Sequence, residues 1–307
     1  MDATGAVCRR PWPAVVFFLV ATVSVLLGET LKIATYNVEN YVSTDRMTDE
    51  GYRKDYPKPE AQKSALREVI KRLDVDVLVL QEMGAQAYLD ELRRDLFHDG
   101  INYPHTVLLS GPDGDRHVAV LAKRPFVSVI PQTELSFRYF DGTAMVKRGV
   151  IEVRVDTSEG ELTLFGVHLK SRFTDRADDP QSAVRRAGEA VAVRDHVLKR
   201  YPNPGQSRFL ILGDMNDDKK SKTLDRLRRR GSTAIAELLP IADSRGETWT
   251  HVYRKEDSYS RVDHILYSPG LAAAIEAGAG RIEDGPGVAV ASDHRPVSNT
   301  LRFLDKK

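Results

Sequence analysis

Apolar segments of this chain repeatedly end in the same way, with an acid, an amide or a histidine at or just past the last aliphatic residue. The residues at these ends are Asn37, Glu82, His168, Asp214 with Asn216, Asp263 with His264, and Asp293 with His294. One such ending is ordinary, because Asn and Asp side chains bond nearby backbone. Their repetition is more restrictive, because buried strand ends lie close in space and functional groups gather where loops leave a rigid sheet. The pattern therefore predicts one polar cluster at a sheet edge.

The segments before these ends are typical of buried strands separated by amphipathic helices. The clearest strands are LKIATYNV (31–38), DVLVLQE (76–82), ELTLFGVHLKSR (161–172) and RFLILGDMN (208–216). The apolar spacing predicts helices near 60–73, 85–96, 181–199 and 221–230. WTHVYR (249–254) and RVDHILYS (261–268) are predicted to pair as a hairpin. Since strict βαβ alternation is absent, we expect an α/β fold with two mixed sheets packed face to face and helices outside.

The N-terminal segment, residues 1–28, differs from the rest of the chain and predicts export. Arg9 and Arg10 precede an uninterrupted apolar run, Ala14–Gly28, as in a secretory signal peptide. The run is short for a transmembrane helix, but the cleavage site is poorly marked. A membrane anchor at residues 14–28 and a core strand or helix therefore stay open as alternatives. Residues 29–307 contain no linker and are predicted to form one domain of a secreted or periplasmic protein.

Charge, cysteine content and absent motifs argue against other classes of function. The formal net charge is +1, and the N-terminal segment contributes two arginines and one aspartate, so the remainder is neutral. A neutral chain argues against a large nucleic-acid surface held by bulk charge, although it is compatible with a local basic patch. The only cysteine, Cys8, lies in the N-terminal segment, so the mature chain would have no disulfide. HExxH, GxxxxGKS/T and GxSxG motifs are absent, which argues against metalloproteases, P-loop proteins and serine hydrolases.

The polar strand ends carry the ligand types that a hard cation prefers. The carboxylates of Glu82, Asp214 and Asp293, with the amides of Asn37 and Asn216, suit Mg²⁺, Mn²⁺ or Ca²⁺. Asp214 and Asn216 are two residues apart, so they project to one side if the strand persists, where they could hold the same water. A positioned, deprotonated water and a cation on the phosphate are what attack on a phosphodiester needs.

The set of motifs also resembles a known superfamily. TYNVEN, LVLQE, GVHLKS, ILGDMN, RVDHIL and SDHRPV, in this order, are similar to the motifs of the endonuclease/exonuclease/phosphatase superfamily. That group includes pancreatic-type deoxyribonuclease, abasic-site endonucleases, neutral sphingomyelinases and inositol-polyphosphate 5-phosphatases. The likeness covers about residues 31–304. It implies a four-layer α/β sandwich that hydrolyses phosphoesters with a divalent metal and without a covalent intermediate.

The resemblance implies metal-binding and water-activating roles for five residues. Glu82 of LVLQE would be the main metal ligand, helped by Asn37 of TYNVEN. Asp293 of SDHRPV would bind a second metal or support the first. Asp214 of GDMN would be the general base or the carboxylate that orients the water. Asn216 of the same motif would hold the water or the phosphate.

Further residues are implied to act on the phosphate. His294 of SDHRPV would hydrogen-bond it, oriented by Asp263 of RVDHIL, because a carboxylate fixes the tautomer and favours the charged ring. His168 of GVHLKS would stabilise the phosphate or protonate the leaving oxygen. Lys170 and Arg148 are candidate substrate-binding residues, and each is equally compatible with a solvated surface position.

The residues favour one substrate class without deciding it. His168 in place of a tyrosine resembles the deoxyribonuclease and phosphodiesterase branches more than the abasic-site enzymes. We therefore predict an exported nuclease or phosphodiesterase that uses Mg²⁺, Mn²⁺ or Ca²⁺ and acts on nucleic acid or nucleotides. The alternatives are a sphingomyelinase- or inositol-phosphatase-like hydrolase and, from another class, a non-catalytic binding module. No protein partner is evident, and membrane contact is expected only through an uncleaved N-terminal segment.

Overall fold

The computed structural model of the protein describes residues 1–2, 28–48, 50–174 and 176–303. Apart from its ends, the predicted signal peptide or anchor lies outside the described residues. Within these ranges, every helix is either too short or too polar to cross a membrane.

The secondary structure consists of twenty strands and five α-helices in the described ranges. In chain order, the strands are β1 (Glu29–Tyr41), β2 (Thr44–Thr48), β3 (Gly51–Tyr56), β4 (Val77–Met83), β5 (His105–Leu109), β6 (His117–Ala122), β7 (Ser128–Gln132), β8 (Ser136–Tyr139), β9 (Gly142–Met145) and β10 (Val150–Val155). They continue with β11 (Leu162–His168), β12 (Phe209–Asp214), β13 (Arg229–Arg230), β14 (Thr233–Ala234), β15 (Glu237–Leu238), β16 (His251–Tyr253), β17 (Ser258–Ser260), β18 (Asp263–Tyr267), β19 (Arg281–Ile282) and β20 (Val297–Phe303). The helices are α1 (Glu60–Leu73), α2 (Gln86–His98), α3 (Ala183–Arg200), α4 (Lys222–Arg228) and α5 (Val288–Ala291), with 3₁₀ turns at Pro180–Ser182, Pro204–Gln206 and Pro269–Ala274.

Two six-stranded sheets form the centre of the molecule. The first has the strand order β19-β20-β1-β4-β6-β5 and the second has the order β15-β18-β12-β11-β10-β7. Each sheet contains one parallel pair, β1 with β4 and β11 with β12, and its other neighbouring strands are antiparallel. Both sheets are therefore mixed, as predicted from the grouping of strands.

The packing is four layers deep, and strand alternation produces it. In β12, Leu210 and Leu212 belong to the cluster between the two sheets, whereas Phe209 and Ile211 face α3 and α4. The other sheet behaves in the same way, since residues of β1 and β4 alternate between this cluster and one that includes α1, α2 and α5. Successive side chains of a strand point to opposite faces, so a strand buried on both faces reads as a continuous apolar run. The predicted four-layer sandwich is confirmed.

The predicted hairpin between 249–254 and 261–268 is wrong. β16 instead pairs with β17, and β18 pairs with β12 and β15 inside the second sheet. The physical reason is burial: β18 is buried along almost its whole length, while β16 and β17 are partly or fully exposed. The apolar strand therefore takes a place inside the large sheet, and a separate polar ribbon forms before it.

The backbones of β11 and β12 approach so closely that the end of β12 requires a glycine, Gly213. Gly213 has φ +147°, and a Cβ built there would lie 1.9 Å from the carbonyl oxygen of Val167 on neighbouring β11. Real Cβ atoms do not approach a carbonyl so closely, so only glycine fits this position without a shift of backbone. The close contact brings the ends of β11 and β12 together one residue before Asp214.

Candidate active site

Three neighbouring strands of the second sheet deliver three buried polar side chains in one row. His168 at the end of β11 is in register with Asp214 at the end of β12. Asp214 is in turn in register with Asp263 at the start of β18. All three are 1% exposed. Since each lies at a strand terminus, the sheet itself places the row at one edge, as the repeated strand ends predicted.

The pairing of Asp214 with Asn216 is correct, but the predicted geometry is wrong. β12 ends at Asp214, and Asn216 has a left-handed φ of 52°, so the strand does not persist. A turn joins the two residues instead: the Asn216 backbone N–H donates to Asp214 Oδ1 at 2.8 Å, and Asn216 Nδ2 donates to Asp214 Oδ2 at 3.1 Å. Met215 packs in the buried cluster under α3 and α4, as expected. The next residues, Asp217 and Asp218, lie in the turn before α4.

The first sheet contributes Asn37 and Glu82 through irregular strand ends. Register shifts occur at the ends of both β1 and β4, and Glu82 adopts a left-handed φ of 63°. Such bulges re-aim side chains beside active sites, at a backbone cost of about 1–3 kcal/mol per strained residue. Asn37 Nδ2 donates to Asp214 Oδ2 at 3.0 Å, so it links the two sheets. Glu82 Oε2 accepts from the Asn40 backbone N–H at 3.0 Å, and Glu82 Oε1 faces His168 Nε2 at 3.9 Å.

His294 enters the cluster from the loop before β20. Its Nδ1 lies 2.8 Å from Asp263 Oδ2, and its Nε2 lies 3.9 Å from Asp214 Oδ2. Burial by itself lowers the pKa of His294, but the carboxylates of Asp263, Asp214 and Asp293 raise it well above its usual value. His294 is therefore charged at neutral pH, and its Nε2–H is directed towards the carboxylate row.

The second histidine has the opposite charge state. His168 Nε2 lies 3.6 Å from Asp214 Oδ2. Burial, with the positive charges of Arg148 and His294, lowers the pKa of His168 well below its usual value. Asp214 lies between the two rings, and burial raises its pKa to about 6 even though the charge on His294 opposes the shift. The site thus places a buried carboxylate with a raised pKa between an imidazole whose pKa is lowered and one whose pKa is raised.

Two residues to which the motifs give no role, His251 and Glu39, contact Asp293. His251 Nε2 lies 3.7 Å from Asp293 Oδ2, and the His251 ring centroid is 4.6 Å from that of His294. Glu39 Oε2 accepts from the Asp293 backbone N–H, and the buried Lys58 donates to the Glu39 carbonyl oxygen. Their only sequence signal is that Glu39 lies inside TYNVEN and that His251 precedes the RVDHIL motif, so local patterns alone do not identify them.

The predicted substrate-binding residues lie beside the row and already have intramolecular partners. Arg148 is 5% exposed, with Nε 3.0 Å from Asp113 Oδ2 and Nη1 donating to the Leu169 carbonyl oxygen at 3.3 Å. Lys170 Nζ donates to the carbonyl oxygens of Ser171 and Phe173. Arg148 is thus held in a buried ion pair rather than on the surface, whereas Lys170 lines an open cavity.

The site suits a hard divalent cation. Among the described residues, potential ligand atoms lie within 4.8 Å of one another in the set Asp214, Asp263 and His294 and in the set His251, Asp293 and His294. A charged His294 has no lone pair for a metal, so the carboxylates and His251 are the ligands available in these sets. The carboxylate of Glu82 lies close to the first set, because His168 Nε2 is near both Glu82 Oε1 and Asp214 Oδ2. The buried Oδ1 of Asp263 has no hydrogen-bond partner among the described residues, and such an atom calls for a ligand or water. Carboxylate oxygens predominate in this group, and these are the ligands that Mg²⁺ and Mn²⁺ prefer.

Comparison with known proteins identifies a family relationship. Residues 34–294 match the sequence model of the Endonuclease/Exonuclease/phosphatase family. No curated protein is similar enough to the chain to match it.

Solved structures share the fold at low sequence identity. Sphingomyelinase C from Streptomyces griseocarneus is 18% identical, with 89% of this chain and 100% of that chain covered and a TM-score of 0.58. The human Nocturnin catalytic domain with bound sulfate is 16% identical, with 90% and 95% covered and a TM-score of 0.61. A mutant of beta toxin from Staphylococcus aureus with bound magnesium ions is 15% identical, with 89% and 100% covered and a TM-score of 0.60. Likeness at this level establishes the fold alone.

Proposed function

The chain belongs to the endonuclease/exonuclease/phosphatase family, as its ordered motifs predicted, and from this we propose that it is a divalent-metal-dependent phosphoester hydrolase. One observation carries the proposal. The buried carboxylate of Asp214, with its pKa raised to about 6, faces both His168 Nε2 and His294 Nε2 through the same oxygen. A non-catalytic module has no need for a buried charge of this kind, which costs stability.

Asp214 accepts the proton of the attacking water. A general base works best when its pKa lies near the operating pH, as the raised value of about 6 allows. The amide groups of Asn37 and Asn216 donate to Oδ2 at 3.0 and 3.1 Å, so the carboxylate is held in one orientation. A fixed base reduces the entropic cost of placing the water in line with the leaving oxygen.

The two histidines stabilise the phosphate in different ways. His294, kept charged by Asp263, donates a charge-assisted hydrogen bond from Nε2 to a phosphate oxygen. His168 has a lowered pKa and is neutral, so it donates an ordinary hydrogen bond from Nε2. Of its two implied roles, phosphate binding is therefore favoured over protonation of the leaving oxygen.

A bound divalent cation would supply Lewis-acid stabilisation of the charge that develops on the phosphate. Glu82 is the residue we assign as its main ligand, with Asn37 and Asp293 as supporting residues. The Asn37 side chain also donates to Asp214, and its Oδ1 accepts from the Glu39 backbone N–H at 3.0 Å. Asn37 thus also positions Asp214.

We further propose that the substrate is a nucleic acid or nucleotide and that the protein is exported to the periplasm or secreted. The apolar run Ala14–Gly28 behind Arg9 and Arg10 supports export, whether it is cleaved or kept as an anchor. A sphingomyelinase-like activity is the second candidate, because sphingomyelinase C shares the fold over 89% of this chain. No protein partner is part of the proposal.

A substrate panel tests the proposed function. The purified protein is incubated with single- and double-stranded DNA, RNA, sphingomyelin and inositol polyphosphates in the presence of Mg²⁺ or Mn²⁺. We expect hydrolysis of at least one nucleic acid or nucleotide, abolished by EDTA and restored by added metal. If every class stays intact with metal present, the protein is not a phosphoesterase; if only sphingomyelin is cleaved, the second candidate replaces the first.

A further inference from the structure

An open cavity lies beside the row of His168, Asp214 and Asp263, which is called the catalytic row below. Lys170 lines this cavity, and only Leu169 separates it from His168 in the chain. Its volume is about 440 Å³, which is in the range of small-molecule sites. The lining residues are Pro112, Met145, Lys147, Lys170, Phe173 and Arg185. Three of these six are cations and none is an acid, so the lining by itself selects for an anion.

The carboxylates near the cavity, within the part of the chain that the structure describes, only partly neutralise its charge. Behind the lining, Asp113 forms ion pairs with both Lys147 and Arg148, at 3.6 and 3.0 Å. The buried Glu189 lies 3.7 Å from Arg185 Nε, which has no hydrogen-bond partner among the described residues. Among the described residues, four cations (Lys147, Lys170, Arg148 and Arg185) thus outnumber three carboxylates, those of Asp113, Glu189 and Asp179, whose Oδ2 accepts from the Arg185 backbone N–H at 3.0 Å.

Glu189 adds one negative charge beside the cavity and also holds the backbone around it. Both of its oxygens are occupied by backbone groups, since Oε1 accepts from the Lys147 N–H at 3.1 Å and Oε2 accepts from the Lys170 N–H at 2.7 Å. These bonds hold the two lysine backbones on either side of the cavity. The Lys170 side chain donates to oxygens of Ser171 and Phe173, and its partners among the described residues include no carboxylate. Burial and the charges of Arg148, Lys147 and Arg185 lower the pKa of Lys170 to about 8.

The carbonyl group of Leu169 connects the surroundings of the cavity to the catalytic row by hydrogen bonds. The Leu169 oxygen accepts from Asn216 Nδ2 at 3.0 Å and from Arg148 Nη1 at 3.3 Å, and the Leu169 N–H donates to the Asp214 carbonyl oxygen. His168 and Lys170 flank this residue, and Cα atoms two residues apart lie at most about 7 Å from each other. The backbones of the residues that line the cavity and the row are therefore directly connected at Leu169.

The rim of the cavity is apolar as well as basic. Phe173 is 81% exposed and Met145 is 42% exposed, and Lys170 Nζ lies 5.8 Å from the centroid of the Phe173 ring. An aromatic face beside a cationic floor suits a phosphate that is attached to a flat or carbon-rich group.

We propose that this cavity, formed by Lys147, Lys170, Arg185 and Phe173, binds a second, non-scissile phosphate of the substrate. The inference rests on the proposed function, since it assumes that the adjacent row cleaves a phosphoester. It narrows the substrate to compounds with two neighbouring phosphates and disfavours a lipid headgroup that carries a single phosphodiester. The second phosphate has two sources, a terminal phosphomonoester or the next diester of a nucleic-acid strand.

Three short substrates with the same scissile bond separate these cases: dTpdT, pdTpdT and dTpdTpdT. We expect KM to be at least about tenfold lower when a second phosphate is present, because a charge-assisted hydrogen bond is worth about 1.5–3 kcal/mol. A gain only for pdTpdT identifies the terminal monoester, and a gain only for dTpdTpdT identifies the next diester. Equal KM for all three substrates overturns the proposal.

Substitutions of the cavity residues test whether the second phosphate binds there. Lys147→Ala and Arg185→Ala should each remove most of the KM difference while kcat and KM for dTpdT stay unchanged. Arg185→Lys should retain part of the KM difference. Lys199→Ala, at the exposed end of α3, should retain all of it. If the preference for a second phosphate persists in both alanine variants, the cavity is not its site.

A binding measurement separates this inference from the proposed function. Inorganic pyrophosphate is titrated calorimetrically into the protein in EDTA, where no hydrolysis occurs. We expect binding to the wild type and to Asp214→Asn, and at least about tenfold weaker binding to Arg185→Ala. Binding of this kind in a protein that hydrolyses nothing retains the anion cavity but rejects the enzyme. Binding unaffected by Arg185→Ala, or absent from the wild type, rejects the cavity whatever the activity.

Discussion

His294 Nδ1 lies 2.8 Å from Asp263 Oδ2, and both side chains are buried although the two residues are 31 positions apart. Asp263 starts a strand inside the second sheet, while His294 lies in a loop that packs against it. The carboxylate fixes the orientation of the ring, so that Nε2 faces Asp214 Oδ2 at 3.9 Å. This contact decides which histidine of the site is charged, and the pH behaviour of the protein follows from it.

Asp263→Asn should shift the alkaline limit of activity to lower pH. Asp263 raises the pKa of His294 against the effect of burial, so its removal lets His294 lose its proton at a lower pH. In the proposed mechanism the charged form of His294 binds the phosphate, so kcat/KM should fall by about 10²-fold near pH 8 and less at lower pH. The pH profile of kcat/KM measures this shift. Asp257→Asn, at an exposed position, is the control, and an unchanged alkaline limb would separate Asp263 from the charge on His294.

Asp214→Asn should abolish most activity without loss of stability. The removal of a general base lowers turnover by about 10²–10⁴-fold. A carboxyl with a folded pKa raised to about 6 destabilises the fold in its charged form, so stability rises as pH falls through 6. The neutral amide relieves this cost, and the melting temperature at pH 8 should therefore equal or exceed that of the wild type. Turnover and melting curves on one preparation test both points; a near-normal rate would falsify the assignment of the base.

Glu82→Gln should remove the stabilisation by metal. A ligand at a free concentration of about 100 times its Kd stabilises the folded protein by about 2.7 kcal/mol. Mg²⁺ or Mn²⁺ at such a concentration should therefore raise the wild-type melting temperature. The amide is a weaker ligand for a hard cation, so the variant should show little of this rise. The shift is measured by thermal unfolding with and without EDTA. Glu256→Gln, which is exposed, should behave as the wild type, and an equal shift in Glu82→Gln would place the main metal ligand elsewhere.

Gly213→Ala should destabilise the protein far more than Gly231→Ala. Both glycines have positive φ, at +147° and +59°, and so both substitutions strain the backbone. A Cβ at Gly213 meets the Val167 carbonyl oxygen at 1.9 Å, whereas nothing lies within 4 Å of one at Gly231. The backbone strain alone destabilises the folded state by about 1–2 kcal/mol in either variant. At Gly213 the clash would also push β11 away from β12. Chemical denaturation measures both variants, and equal losses would show that the strand contact tolerates a methyl group.

The sequence by itself determined the layers and the row of polar strand ends. Alternation in RFLILGDMN assigns Leu210 and Leu212 to one face and Phe209 and Ile211 to the other, and the structure places them between the sheets and against the helices. This information is local, because successive side chains of a strand point to opposite faces whatever the strand pairs with. The six ordered motifs predicted the family in the same way, since each is read within a few residues.

Tertiary structure alone decided which side chains meet. The sequence pattern predicts that the segment at 261–268 pairs with 249–254, but β18 pairs with β12, which puts Asp263 beside Asp214. The ion pair of Arg148 with Asp113 and the approach of His251 to Asp293 likewise join residues that are far apart in the chain. Such contacts depend on which buried surfaces fit together across the whole core, and a local pattern of apolar and polar residues does not encode that choice. The charge states of the site follow from these contacts, because burial and neighbouring charges set each pKa.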